Sequence, residues 1–572
     1  MSESSNQAEP RYAVGVDYGT NSVRALVADC RDGCEVAAAV FDYPTGEAGV
    51  IVDAKDPNLA RQNPADYVAG FDASVAGAVK AAAEVDPEFS PERVVGLGVD
   101  TTGSTPIPVD KDGTPLAMHE QFRDNPGAQA WLWKDHTAHA EAAEITEKAE
   151  QHPDGYLRKC GGTYSSEWYW SKILRCRRAY PEVFEAAYAW VELCDFVPGW
   201  VTGNLDPHTM ARSVCAAGHK AMYHPEWGGL PSEDFLASLD PALVPLRGRY
   251  ASEALACDRK TGGLTEAVAE ATGLRAGLPV AVGAFDAHHG AVGSGVGPGT
   301  LVKIMGTSTC DIMVAPGSQE LADIPGVCGI VPGSVVPGMF GIEAGQSAVG
   351  DLFNWAVSHF TPAKYGEGGE AHQKLTEEAE QLAPGASGLL ALDWNNGNRT
   401  VLVDPRLGGL LVGQTLHTTA AEHYRALIEA TAFGALAIIQ RIEEYGVAVE
   451  SVIACGGIAE KNPMAMQIYA DVCDRPMRVS RASQTCALGA AIFGAVVGGA
   501  HPDTSAAQAA MTGALDREYR PDPAAVATYR KLYGLYRQLH DAFGGVADPP
   551  EALGHVMKEL IALREAARGE SS

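Results

Sequence analysis

The segment YAVGVDYGTNSVRALVAD, from Tyr12 to Asp29, has a second version far along the chain in TLVKIMGTSTCDIMV, from Thr300 to Val314. Each is an apolar run of strand length, then Gly-Thr followed by Asn or Ser and by Ser or Thr, then a second apolar run. That order predicts a strand, a tight polar turn and a returning strand. Two copies with so much chain between them point to a duplicated domain, because a solenoid repeats every few tens of residues. Length agrees, since 572 residues exceed what one hydrophobic core serves. Apolar runs alternate with amphipathic stretches throughout, which predicts an α/β architecture. The crossing between domains is expected between Gly263 and Phe285, in TGLRAGLPVAVGAFDAHHG. We place a disordered tail at 1–10, an N-terminal domain at 11–280, a C-terminal domain at 281–545 and a helical tail at 546–572.

Helix signals are explicit in two places. Asn63-Pro64 sets an N-cap before a first-turn proline, with Tyr67, Phe71, Val75 and Val79 following at helical spacing. Thr419 and Glu422 form a capping-box pair ahead of Tyr424, Leu427, Ile428, Thr431, Ile438 and Ile442, and Gly446 is the stop. After Gly513 the segments from Pro523 to Phe543 and from Pro550 to Arg568 read as helical.

Composition removes several classes of function. A formal net charge of -29 disfavours nucleic acid and anionic membrane as partners, since both reward clustered Lys and Arg. No apolar run is long enough to span a bilayer, and MSESSNQAEPRY has neither the basic start nor the apolar core of a secretory signal. The twelve cysteines are scattered, and the closest pair, Cys30 and Cys34, is not a CxxC, so reduced thiols and a cytoplasmic location are expected. An anionic phosphate entering so acidic a protein needs backbone donors, a cation or both.

The repeated turn supplies such donors. Gly19 permits a tight turn whose backbone N–H groups face outward beside the hydroxyls of Thr20 and Ser22. Asp17, just before it, would repel phosphate unless it held Mg²⁺. One copy alone reads as an ordinary hairpin; a second, Gly306-Thr307-Ser308-Thr309, at the equivalent place favours a phosphate site. A third constellation follows the apolar run from Ser451 to Cys455, where Gly456-Gly457 precede a helix capped by Asn462 with Pro463 in its first turn. Paired glycines let a flat base or an α-phosphate approach the backbone. Asp286 follows the apolar run ending at Phe285 and is a candidate to accept the proton of an attacking hydroxyl. His288 and His289 beside it suggest a metal site, but adjacent side chains diverge and no third ligand has a recognisable spacing. There is no GxxxxGK[ST] and no protein-kinase set, so the phosphates must be held another way.

These segments together resemble the FGGY carbohydrate kinases through nearly the whole chain. The resemblance implies two ribonuclease-H-like domains of the actin and sugar-kinase type with a catalytic cleft between them. It implies a first ATP/phosphate loop of Gly19, Thr20, Asn21, Ser22 and Arg24, with Asp17 at the metal, and a second of Gly306, Thr307, Ser308 and Thr309. Gly456, Gly457 and Asn462 look like the adenosine turn, GQTLHTTAAEHYRALIEATAFG looks like the family's C-terminal signature, and the catalytic base falls on Asp286. Within the family the match is closest to the branch that phosphorylates L-ribulose, carried by GVDTTGSTPIPVD, LWKDHTAHAEA, GGTYSSEWYWSKI, SVCAAGHKAMYH, FGIEAGQSAVGD and ALDWNNGNRTVLVD. The chain lacks the NQRE of glycerol kinases and the GQMHG of xylulokinases at the substrate loop. By the same resemblance Gly103, Lys220, Asp286 and Glu343 line the sugar site, with Glu167 and Trp168 at its rim. The implied reaction is transfer from MgATP to L-ribulose, giving L-ribulose 5-phosphate, with a homodimer as a possible assembly. The alternatives are a kinase of D-ribulose, ribitol or another pentitol, and an ATP-driven switch related to actin and chaperones.

Overall fold

A computed structural model describes residues 9–547 and 553–568; the expected tail at 1–10 and the start of the last helical stretch at Pro550 fall largely outside these. Two seven-stranded sheets organise the chain. In the first, β1 (Tyr12–Tyr18), β2 (Ser22–Asp29) and β3 (Glu35–Asp42) run antiparallel in succession. Helix α1 (Pro64–Val85) then crosses to β4 (Val94–Thr101), which lies parallel to β1 with Asp17 opposite Asp100. After α2 (Tyr169–Ala179) and α3 (Val214–Lys220), the short strands β5 (Lys260–Gly263), β6 (Pro279–Ala281) and β7 (Ala284–Phe285) complete this sheet beside β4.

Helix α4 (Asp286–Gly293) leads into the second sheet, which repeats the plan. There β8 (Thr300–Met305) and β9 (Thr309–Pro316) form the hairpin; β10 (Gly329–Pro332) and β11 (Met339–Gln346) extend it antiparallel. Helices α5 (Gly350–Phe360) and α6 (Ala420–Glu444) precede β12 (Ser451–Cys455), which is parallel to β8. Helices α7 (Gly457–Lys461) and α8 (Pro463–Cys473) then lead to β13 (Met477–Ser480), α9 (Thr485–Val497) and the edge strand β14 (Ala514–Tyr519). Helices α10 (Pro523–Phe543) and α11 (Val556–Arg568) close the described chain. A hairpin extended antiparallel on one side and parallel on the other is the ribonuclease-H-like arrangement, present twice.

Local chemistry explains the helix ends. Asn63 accepts from the Ala65 N–H, and Thr419 and Glu422 exchange both bonds of the capping box. The run after Gly456 departs from expectation, because Gly457 already opens the short helix α7. Its last turn closes through Asn462 N–H to the Ile458 carbonyl, and Pro463, which has no N–H, forces a new helix to begin.

The two halves meet through α4 and α9, which pack on one another, and α9 also lies across β1 and β4 of the first sheet. That approach is backbone to backbone. A Cβ on Gly15 would stand 1.7 Å from the Ala487 carbonyl oxygen, and one on Gly98 2.0 Å from that of Ala490. Glycine in these strands is therefore a condition of the interdomain contact.

Candidate active site

Each hairpin turn is closed by a bond of its own. Gly19 N–H donates to the Ser22 carbonyl at 2.9 Å, and Gly306 N–H to the Ser308 carbonyl at 3.0 Å. In the second turn the carbonyls of Gly306 and Thr307 accept from Gly350, Val349 and Asp351 at the start of α5, so the oxygens point inward. Thr307 is exposed and Ser308 half-buried, and among the described residues neither hydroxyl has a protein partner. With its carbonyls tied inward and the Thr307 and Ser308 N–H groups free of protein acceptors among the described residues, the second turn suits phosphate oxygens.

Not every residue expected at the turns faces outward. The Asn21 amide donates to the Ala48 carbonyl at 2.6 Å, tying the first turn to the next loop. Thr20 Oγ1 accepts from Trp133 Nε1 at 3.0 Å. The buried Thr309 hydroxyl accepts from Gln346 N–H at 3.1 Å and lies 3.4 Å from Lys303 Nζ, so it anchors the second turn from beneath. Arg24 sits opposite Asp17 across the hairpin, with Nη1 3.9 Å from Oδ2. At the third constellation Gly456 has φ +92, and a Cβ there would lie 2.6 Å from the Met305 carbonyl oxygen; Gly457 is exposed with open space before it. The Asn462 side-chain oxygen is occupied as the cap of α8, accepting from Ala465 N–H at 3.0 Å.

Three aspartates converge where the strands of the first sheet end. Asp17 and Asp100 are register partners on β1 and β4, and Asp286 is the first residue of α4. Burial, and then the charge of Asp17, pushes the Asp286 carboxyl up to about 7, even though Oδ1 accepts from the Ala287 N–H at 2.6 Å. Burial also raises Asp17 and, with Asp17 and Asp286 beside it, raises Asp100 well above the carboxylate range. Both Asp100 oxygens are buried without a hydrogen-bond partner. Oxygen atoms of Asp17 and Asp100 lie within 4.8 Å of one another and of Cys486 Sγ. Carboxylates gathered in so dry a place fit a hard divalent cation, which relieves their repulsion.

The expected sugar residues form a second cluster, across the domain boundary. Lys220 Nζ, at the end of α3, is 3.0 and 3.1 Å from the two oxygens of Glu343 on β11. Arg399 Nη2 donates to Glu343 Oε1 at 2.7 Å. Burial alone would raise Glu343, but Lys220, reinforced by Arg399, outweighs it and holds the carboxyl well below its ordinary range. Trp168 lies beneath Lys220, with Nζ 5.3 Å from its ring centre, so it is a wall of the pocket; Trp170 is core. Glu167 is partly exposed, 3.8 Å from His136 Nε2. His288 and His289 do diverge. His288 turns toward Glu343 and His219, whereas His289 lies against Phe493, with Nδ1 3.9 Å from Asp100. His219, His288 and Glu343 have the spacing of a metal set, but the ammonium and guanidinium already on Glu343 satisfy its charge.

Gly103 stands where a Cβ would fall 1.9 Å from the Phe285 ring, next to Asp286. Its loop is gripped from below by a buried pair that sequence reasoning missed. Lys172 Nζ donates to the carbonyls of Ser104 and Leu132 at 2.8 Å each, and Glu192 accepts from Thr105 N–H at 2.8 Å and from the Ser104 hydroxyl. Gly103→Ala is therefore expected to displace Phe285 and the neighbouring base. The overpacking costs about 1–3 kcal/mol, read by thermal unfolding, and turnover should fall further than that loss of stability explains.

Residues 12–293 match the FGGY family of carbohydrate kinases, N-terminal domain, and residues 301–497 match the family's C-terminal domain. The chain belongs to the FGGY family of carbohydrate kinases. Among its FGGY relatives, a ribulokinase of Shouchella clausii is 41% identical over 98% of this chain and 99% of its own length. A ribulokinase of Vibrio parahaemolyticus is 40% identical over 94% and 97%, and one of Mycolicibacterium smegmatis 39% identical over 94% of each chain. Among solved structures, a xylulose kinase from Rhodospirillum rubrum superposes with a TM-score of 0.74 at 24% identity, covering 93% of this chain and all of that one. A glycerol kinase of Plasmodium falciparum with ADP gives 0.74 at 14% identity over 93% and 98%; at these identities the likeness establishes the FGGY fold. Among the described residues no helix is long and apolar enough to cross a membrane.

Residues beyond those read from sequence join the candidate site. Asp100 and Arg399 lie within motifs that carry the family resemblance, yet nothing in a single sequence distinguishes them from their neighbours. His219, Lys172 and Glu192 acquire meaning only through partners far along the chain.

Proposed function

We propose that this chain transfers the γ-phosphoryl group of ATP to the terminal hydroxyl of ribulose, yielding ribulose 5-phosphate and ADP, with L-ribulose as the preferred form. The observation that carries the chemistry is Asp286, a half-buried carboxyl at the start of α4, beside the Asp17 charge that precedes the first phosphate turn, and pushed up to about 7. The choice of sugar rests on relatives named ribulokinase that match nearly end to end at about 40% identity.

The residues divide the work. Outward donors of the Gly19 and Gly306 turns hold phosphate oxygens, and the open backbone at Gly457 accepts the nucleoside. Asp17 and Asp100 would hold the Mg²⁺ that accompanies ATP; when bound it neutralises charge on the phosphates. Lys220 and Glu343 hydrogen-bond sugar hydroxyls, and because each would otherwise be left with a poorer partner they penalise compounds that lack those groups. Asp286 accepts the proton of the attacking hydroxyl as the O–P bond forms, and ADP leaves in line. The buried Lys220–Glu343 contact spans the two domains, so the cleft that holds the sugar also excludes water. The twelve cysteines are all unpaired, which suits a reducing cytoplasm.

Ionisation of Asp286 sets the acid side of the pH profile. Only its charged form accepts a proton, and the folded protein holds the acid form up to about 7. On free enzyme, kcat/KM is therefore expected to fall as pH drops through that value, approaching about tenfold per unit below it; a profile flat down to pH 5 contradicts the assignment. The substrate reading is tested by coupled ADP release with ketopentoses, pentitols, glycerol and water as acceptors. L-Ribulose should give the highest kcat/KM, and a pentitol well ahead of it would overturn the choice of sugar.

A further inference from the structure

Arg399 is the most exposed of the three ion-paired residues around Glu343, with its side chain 26% exposed against 4% for both Lys220 and Glu343. The chain that follows it is fixed at two points. The Thr400 hydroxyl accepts from the Gly345 N–H at 2.9 Å, and Val401 N–H donates to the Gly326 carbonyl at 2.9 Å. The guanidinium is thus aimed before any ligand arrives. It gives Nη2 to Glu343 at 2.7 Å and places Nη1 3.8 Å from the sulfur of Cys310, the residue that follows the second phosphate turn. A guanidinium carries five N–H donors, so most remain free beyond these two contacts. The Glu343 carboxylate that holds it is held from the other domain by Lys220, which sets Arg399 at the pair expected to hold the sugar.

We propose that Arg399 is a sugar-binding residue, donating to an oxygen of the acceptor while Glu343 holds it in place. Among the described residues those donors have no hydrogen-bond partner beyond Glu343 and Cys310, and a planar fork pinned at one edge presents the other at low entropic cost. This inference rests on the kinase reading but not on which pentulose is preferred. Removing Arg399 leaves Glu343 still paired with Lys220, so the fold is expected to survive the change.

The test is steady-state kinetics on the full chain with Arg399→Met and Arg399→Lys, using L-ribulose and its deoxy analogues. Arg399→Met should raise the KM for ribulose at least tenfold and leave the KM for ATP within about twofold, the scale of one lost charge-assisted hydrogen bond. Arg399→Lys, which keeps the charge on Glu343 but not the fork, should fall between. For one deoxy analogue the penalty should shrink, because the contacted oxygen is already gone. A penalty equal for every analogue would mean that Arg399 only steadies Glu343, and unchanged ribulose KM, or equal rises for sugar and ATP, would likewise overturn the proposal. If the wild type prefers another acceptor, the choice of sugar fails separately and the same comparison is read with that acceptor.

Discussion

Asp286→Ala is expected to lower kcat by about 10²-fold or more, the usual contribution of a positioned general base. ATP affinity should stay close to that of the wild type. The reason is location. Asp286 begins α4, outside the three turns at Gly19, Gly306 and Gly457 that hold the nucleotide. The change should also relieve repulsion, since beyond burial the charge of Asp17 raises the pKa of Asp286, and Asp17 and Asp286 together raise that of Asp100. The variant is thus expected to be at least as stable as the wild type and far slower, a combination that a merely structural aspartate does not give. Thermal unfolding and a direct nucleotide-binding measurement beside the turnover assay check all three parts. Near-normal turnover removes Asp286 from the role.

The second large effect is expected at Glu343. Replacing it with leucine leaves the Lys220 ammonium and the Arg399 guanidinium without their shared carboxylate, in a pocket whose other members, His219 and His288, are held neutral by burial. Removing one partner of a buried ion pair costs about 3–5 kcal/mol, and here two cations lose one anion. A clear fall in the unfolding midpoint should accompany a loss of kcat/KM for the sugar of about 10²-fold or more. Glu343→Gln keeps the shape and one acceptor, so it should lie between leucine and wild type. The KM for ATP separates the account from general damage, because the nucleotide turns do not touch this cluster; a parallel loss of ATP affinity would count against it.

What could be read from the sequence was what local chemistry fixes. The Gly-Thr turns flanked by apolar strands, the Asn63 cap and the Thr419–Glu422 box each specify their geometry within a few residues, and each is present. Duplication was legible for the same reason, since both hairpins carry the same turn chemistry. What depends on distant partners was not. Asp100 becomes a third carboxylate of the site only because β4 pairs with β1 in a register that sets it opposite Asp17. Arg399 matters only because its loop brings it to Glu343, and Lys172 with Glu192 only because both reach the loop at Ser104. The division of labour at the turns was also hidden. Thr309 and Asn21 share the motif with Thr307 and Thr20, but the structure turns one hydroxyl inward and spends the other side chain on a neighbouring loop. The short helix at Gly457 escaped because glycine gives no helix signal, and only the helix break at Asn462 and Pro463 separates it from the next.

The central claim is phosphoryl transfer to ribulose rather than to water. It is tested most directly by following ATP by ³¹P NMR with the purified chain, with and without L-ribulose. The account predicts ADP formation that requires the sugar, with one new phosphomonoester resonance appearing for each γ-phosphate lost. Inorganic phosphate and ADP appearing at the same rate with and without ribulose would contradict it.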